Sequence, residues 1–240
     1  MPQTLGDLMF SSLQTSRQIG TLMCQTTRTI LWQPAQAWVQ ARNSQAGLLL
    51  RVGSGQATYH RYDPRTKQHL INYGVRMIAA KRQPETAQGW LSSREIRERG
   101  YFGGEVSELN LLAHTCCHEF AHLLQYSAGQ RHYGSVHNRH FYEVLDQLHA
   151  SGGADAARDF LAQQASEAAL PLSRDVFAIP TPHQAKAQWQ AGEPVRFGRG
   201  SKQKQGRIVR VNRKTCTVEV PHQPRNLLYR VPFALLEALG

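Results

Sequence analysis

Apolar positions along this chain recur with different periods in different stretches, and those periods predict its elements. Through residue 45 the chain is Gln- and Thr-rich, with apolar residues spaced loosely for one or two helices (LGDLMFSSLQ, TILWQPAQAWVQA). Pro34, which has no N–H to donate, is expected to break or restart the second. From 47 to 82, short β-favouring runs lie between Gly-rich and Asp-Pro turn signals, which predicts two or three strands, the last over about 71–78. Ser107 is placed to cap a long helix running to about 126. A second helix is expected over about 136–149 and a third over ADAARDFLAQQASEAAL, followed by a non-periodic, Pro-containing linker. In the tail, PVRFGRG, GRIVRVN, TCTVEVP and LLYRVP alternate as short strands between turn residues. That is the pattern of a small β-barrel, closed by FALLEAL. The fold class expected is therefore α+β, with a helical segment over 1–45, a main domain over 46–170, a linker over 171–191 and a β-module over 192–240.

Composition narrows the class without naming a chemistry. With 41% hydrophobic and 19% charged residues in 240, disordered and fibrous classes are excluded. No apolar run approaches the roughly 20 residues that span a bilayer, and the N-terminus lacks the pattern of a secretory signal. Cys24, Cys116, Cys117 and Cys216 show no CxxC spacing and are too few for a disulfide framework. A cytoplasmic protein is expected, with no membrane partner. The net charge is +11, of which +7 falls in residues 192–240, with ten basic residues against three acidic ones. Such a balance points to a polyanion, nucleic acid before an anionic membrane surface, with Arg207, Arg210, Arg213 and Lys214 as candidate phosphate contacts and a nucleoid association.

The chemistry is concentrated in AHTCCHEFAHLLQYSAG, residues 113–129. An α-helix turns about 100° per residue, so His114, His118 and His122 share one side, with Glu119 at its border. Leu109, Leu112, Cys116, Cys117, Phe120, Leu123 and Leu124 fall on the other side, which packs. Histidines at i and i+4 can direct ring nitrogens at one zinc ion, with the adjacent glutamate reaching the water on it. A third protein ligand is then required. His137 lies in the inward stripe of the next helix with Phe141, Val144, Leu145 and Leu148, and is preferred. His140 and Glu143 are the alternatives. His114, beyond the three ligands needed, is expected to support the site or face its cleft.

HEFAHLLQYSAGQRHYGSVHNRHF resembles the SprT-like zinc metallopeptidases, which carry HExxH, a loop-length gap, and a histidine followed four residues later by an aromatic. The resemblance spans about residues 45–150, with Asn138 where the family usually has glycine. It implies a zincin-like domain in which a small mixed sheet packs on the HExxH helix, and one zinc per chain held by His118, His122 and His137. It also implies Glu119 as the general base that deprotonates the zinc-bound water attacking a peptide carbonyl. The activity implied is that of an endopeptidase acting on unfolded or DNA-associated proteins. A strand near 71–77 is expected to hold the substrate by backbone pairing, and Tyr126, Tyr133 and Tyr142 are the tyrosines near enough for oxyanion stabilisation. The zinc ribbon of many relatives is replaced by the basic module, whose GRIVRVNRKTCTVEV resembles SH3-like or KOW-like barrels. The competing reading is a non-catalytic, zinc-containing scaffold that binds nucleic acid.

Overall fold

The computed structural model describes residues 5–132, 134–170, 172–178, 182–198, 203–222 and 225–239. The architecture is α+β, and the chain divides into two compact units, 1–177 and 178–240. Helix α1 (Leu5–Thr26) runs into a π-helical turn (Thr27–Trp32) and then α2 (Gln33–Gln40). Pro34 restarts rather than breaks the rod: it sits at the first positions of α2, where a missing N–H costs nothing, and the widened turn precedes it. Thr26 and Thr27 can be buried within this polar stretch because their hydroxyls bond to their own helix. Thr26 donates to the Leu22 carbonyl at 2.9 Å and Thr27 to that of Met23 at 2.8 Å. Tyr73 then donates to Thr27 Oγ1 at 2.6 Å.

Strands β1 (Gly47–Gly53), β2 (Tyr59–Asp63) and β3 (Gln68–Gly74) form a sheet of order β1-β3-β2, with β1 parallel and β2 antiparallel to β3. The strand expected over 71–78 ends early, and Val75 already opens α3 (Val75–Lys81). Gly74 makes the turn: a Cβ there would lie 2.6 Å from the Gly55 carbonyl oxygen, so only glycine permits this close crossing. β3 is central and paired on both sides, so it has no edge left for a substrate. The edges are β1 and β2, and of the two it is β2 that packs on α6.

After α4 (Pro84–Ala87) and α5 (Leu91–Arg99) comes α6 (Glu108–Ser127), capped as expected by Ser107, whose side chain accepts from the Asn110 N–H at 3.1 Å. Helices α7 (Arg139–Ala150) and α8 (Gly153–Glu167) pack against α6. The cap of α7 is Asn138, so His137 precedes that helix instead of opening it. The start of the expected linker folds back on α6: Ser173 accepts from the Leu109 N–H and Phe177 donates to the Val106 carbonyl. Leu109, Leu112, Cys116, Cys117, Phe120 and Leu123 are buried on α6, and α1 and α8 cover it.

The second unit holds α9 (Pro182–Ala187) and strands β4 (Pro194–Phe197), β5 (Lys204–Val211), β6 (Thr215–Val220), β7 (Leu227–Pro232) and β8 (Leu236–Ala238). They form one antiparallel sheet, β7-β6-β5-β4-β8, over a core of Val195, Ile208, Cys216, Val218, Val231, Phe233 and Leu236. The expected barrel is not closed. β7 and β8 remain edges, because the three residues of β8 are all paired to β4.

Candidate metal centre

α6 carries His118 and His122 one turn apart, and the turn before α7 delivers His137 between them. His137 Nε2 lies 3.1 Å from His122 Nε2 and 3.2 Å from His118 Nε2. The turn is pinned from α6: Gln125 Nε2 donates to the Val136 carbonyl at 3.0 Å and to Asn138 Oδ1 at 2.9 Å. Asn138 in turn donates to the Gln130 carbonyl and accepts from the Phe141 N–H. Its φ of −80° explains why this place needs no glycine. Phe141 forms the floor, stacked on His122 at 4.3 Å and edge-on to His118 at 4.9 Å.

Tautomers decide what the three nitrogens can do. Glu95, buried on α5, accepts on one oxygen from His118 Nδ1–H at 3.0 Å and from His114 Nε2–H at 2.9 Å. His122 Nδ1 faces Gln125 Oε1 at 3.4 Å. Both α6 ligands are thereby held with Nε2 bare, and His137 Nε2 has at most one proton for two acceptors. A cation at their common centre satisfies all three lone pairs, and the protein alone does not. Burial, reinforced by the neighbouring imidazoles, lowers the His122 pKa to about 2 and depresses that of His137, so these rings stay neutral donors. Glu95 is pushed up by burial, yet the two histidine N–H bonds outweigh that and hold it well below the usual carboxylate range.

Glu119 is buried beside His118, and its Oε2 has no hydrogen-bond partner among the described residues. Burial raises its pKa, against the pull of His118, Lys81 and Arg131. An orphaned carboxyl oxygen in a protein interior costs about 1–3 kcal/mol or more, which marks a group kept for something that arrives. Arg131 crosses from the loop after α6 to β2, donating to His60 Nδ1 at 2.8 Å.

No protein-family model matches the chain, and neither curated proteins nor solved structures yield a match. The geometry stands alone.

Two groups can hold a metal ion among the described residues: His118, His122 and His137, and Glu95, His114 and His118. The second is already closed by the N–H bonds to Glu95. His114 is fully buried and continues that network, accepting at Nδ1 from His149 Nε2 at 3.1 Å, while His149 stacks on Tyr101 at 3.8 Å. The alternatives for the third ligand lie elsewhere: Glu143 pairs with Arg139 at 2.7 Å and with His140 at 3.6 Å on the exposed side of α7. Of the tyrosines, Tyr142 lies 6.4 Å from the His137 ring, Tyr126 stacks on Tyr62 at 4.6 Å, and Tyr133 is outside the described residues. Glu95 and Lys81 were missed. Glu95 sits in REIRER, where a carboxylate among arginines reads as a surface ion pair; only the placement of Ser92, Glu95 and Ile96 on one helical face signalled burial.

In the second unit Arg207, Arg210, Arg213 and Lys214 are all exposed. Arg207 donates to the Gly192 carbonyl and stands opposite Glu219. A register shift between Ile208 and Arg210 leaves Val209 and Arg210 both outward. Arg213 and Lys214 occupy the β5–β6 turn. Among the described residues no helix is long and apolar enough to cross a membrane.

Proposed function

We propose that the chain is a zinc-dependent endopeptidase of SprT-like type that cleaves unfolded or DNA-associated proteins. One observation carries this reading: three imidazole nitrogens converge, and Glu119, which lines one cavity with His118, keeps a buried oxygen with no partner among the described residues. The donors fit zinc. Ligand nitrogens about 2.0–2.1 Å from a tetrahedral ion stand about 3.3 Å apart, against 3.1 and 3.2 Å here. Three neutral nitrogens also leave one position open, as catalytic zinc sites do.

Bound zinc would supply a Lewis acid that polarises a peptide carbonyl and acidifies water. The chain's own residues do the rest. Glu95 fixes the His118 ring and strengthens its Nε2 as a donor. Glu119 takes a proton from the attacking water and returns it to the leaving amine, and its raised pKa suits both transfers. The outer edge of β2, packed on α6, offers backbone groups to an extended peptide. The exposed basic residues of the second unit would bring the peptidase to DNA through phosphate contacts, and the order of its open sheet, with a short 3₁₀ turn at Phe233–Leu235 between β7 and β8, supports an SH3-like module.

The test pairs metal content with turnover. Wild-type protein is expected to hold about one zinc per chain and to cleave an unstructured protein such as casein. Glu119→Gln should keep the zinc and lose at least a thousandfold in cleavage rate. Equal cleavage by the variant removes Glu119 from the mechanism, and zinc without cleavage by wild type leaves the scaffold reading.

A further inference from the structure

Beside the imidazoles, α3, α5 and α6 enclose a cavity of about 180 Å³, lined by His118 and Glu119 on one side. Whole small molecules occupy pockets of about 300–1,000 Å³, so this one takes a single side chain or chain end. Its other walls are Met77, Trp90 and Leu91, with Lys81, Thr115, Ser92 and Thr58 as the polar groups among them.

Lys81 is an unusual group for such a place, with 3% of its surface exposed. Its Nζ donates to Thr115 Oγ1, whose own proton is given to the Leu111 carbonyl at 2.7 Å. No carboxylate oxygen of a described residue lies within 4.0 Å of Nζ. Nζ sits 5.4 Å from the Trp90 ring centre, and two of its three N–H donors have no acceptor among the described residues. The Ser92 hydroxyl is buried in the same cavity without a partner among the described residues. Ser92 lies in the first turn of α5, a helix whose N-cap Trp90 offers no capping side chain, so free backbone N–H groups and the positive end of the dipole add to the ammonium. Ammonium, hydroxyl and helix start therefore ask for an anion, while Trp90, Met77 and Leu91 ask for a methylene stem.

We propose that this cavity is a carboxylate-binding subsite, selecting substrates with an acidic side chain or a free chain end beside the bond to be cleaved. The selection role rests on the peptidase reading; carboxylate binding itself does not. Burial lowers the Lys81 pKa to about 8, with Glu119 and Glu95 opposing, which leaves the side chain mostly cationic at neutral pH.

The test measures binding without turnover on the full, zinc-loaded chain, by ligand-observed NMR. Three probes are compared: N-acetylglutamate α-amide, N-acetylglycine, and the neutral N-acetylglutamine α-amide. At least one carboxylate probe should bind tenfold more tightly than the neutral one, and the tighter of the two tells a side-chain from a chain-end carboxylate. Lys81→Met should abolish the preference while keeping the zinc. Ser92→Asp, which supplies a resident carboxylate inside the cavity beside Lys81, should abolish it too and serves if Lys81→Met does not fold. Equal binding of all three probes by wild type, or an undiminished preference in the folded variants, overturns the proposal. Preference without proteolysis would instead leave the subsite standing and remove the peptidase reading.

Discussion

The two units of this chain handle charge in opposite ways. Around α6, Glu95, His60 and Lys81 are buried, each against a fixed neighbour: Glu95 joins two histidines, Arg131 holds His60, Lys81 binds Thr115. In the β4–β8 sheet the core is wholly apolar apart from Cys216, and the ionisable groups stand in solvent. Burial makes electrostatics specific, because an interior group without its partner costs several times what an exposed one does. Exposed charges act as a sum. Changing one residue should therefore matter greatly in the first unit and little in the second, and the following experiments attack that contrast in order of expected size.

Acid should separate the units most. His60 and His114 are buried neutral, burial being the main cause, with folded pKa values lowered to about 2 and about 4. The unfolded chain protonates them near 6.5, so their stability is whole above that pH and is lost as pH falls toward the folded values. At pH 5.5 each group removes about 1.4 kcal/mol, or about 2–3 kcal/mol together. Hydrogen exchange on the full chain in chelator, corrected for intrinsic rates, should show protection in α6 and β2 falling between pH 7.5 and 5.5 while β5 and β6 keep theirs. Parallel loss in both units would mean that the buried histidines do not govern acid stability.

The next largest effect concerns Glu95. Glu95→Gln keeps the shape, and its amide oxygen can stand where Oε2 accepts from both histidines, but without the negative charge it holds both N–H groups more weakly. Zinc affinity should fall 10–100-fold, about 1.4–2.7 kcal/mol, as for other carboxylates behind a ligating histidine. Competition with a chromophoric chelator reads this directly. An unchanged affinity would show that His118 is oriented by Phe141 packing alone.

Glu95 also shows where reading the sequence stops. The Ser107 cap, the His118–His122 spacing and the apolar side of α6 are local, set by periods of a few residues, and each is found in the structure. His137 is semi-local: its place depends on a turn whose geometry Gln125 and Asn138 set, and it stands just before α7. Glu95 and Lys81 reach the site from 23 and 34 residues away, through α5 and α3, and no period links them to α6. The end of β3 was misplaced for a related reason. A strand buried on both faces shows no alternation, so VRM continued the apolar run of LINYG although the backbone turns at Gly74. Ser16, Thr26 and Thr27 hid the burial of α1 and the π-helical turn, because their hydroxyls bond to their own helix.

The smallest effect should come from the β5–β6 turn. Arg213 and Lys214 are exposed and take part in no ion pair among the described residues. Replacing both by alanine should change stability by less than about 0.5 kcal/mol. If the second unit meets DNA through phosphates, the same change should weaken binding alike on all sequences and lower the slope of log affinity against log salt by about 0.9 per residue. Arg207 offers the internal contrast, since its guanidinium already donates to the Gly192 carbonyl and faces Glu219 across the strand pair. Arg207→Ala should therefore cost less DNA affinity than Arg213→Ala, despite an equal change in net charge. Equal losses for the two would show that only the summed charge of the sheet matters, and that its arrangement does not.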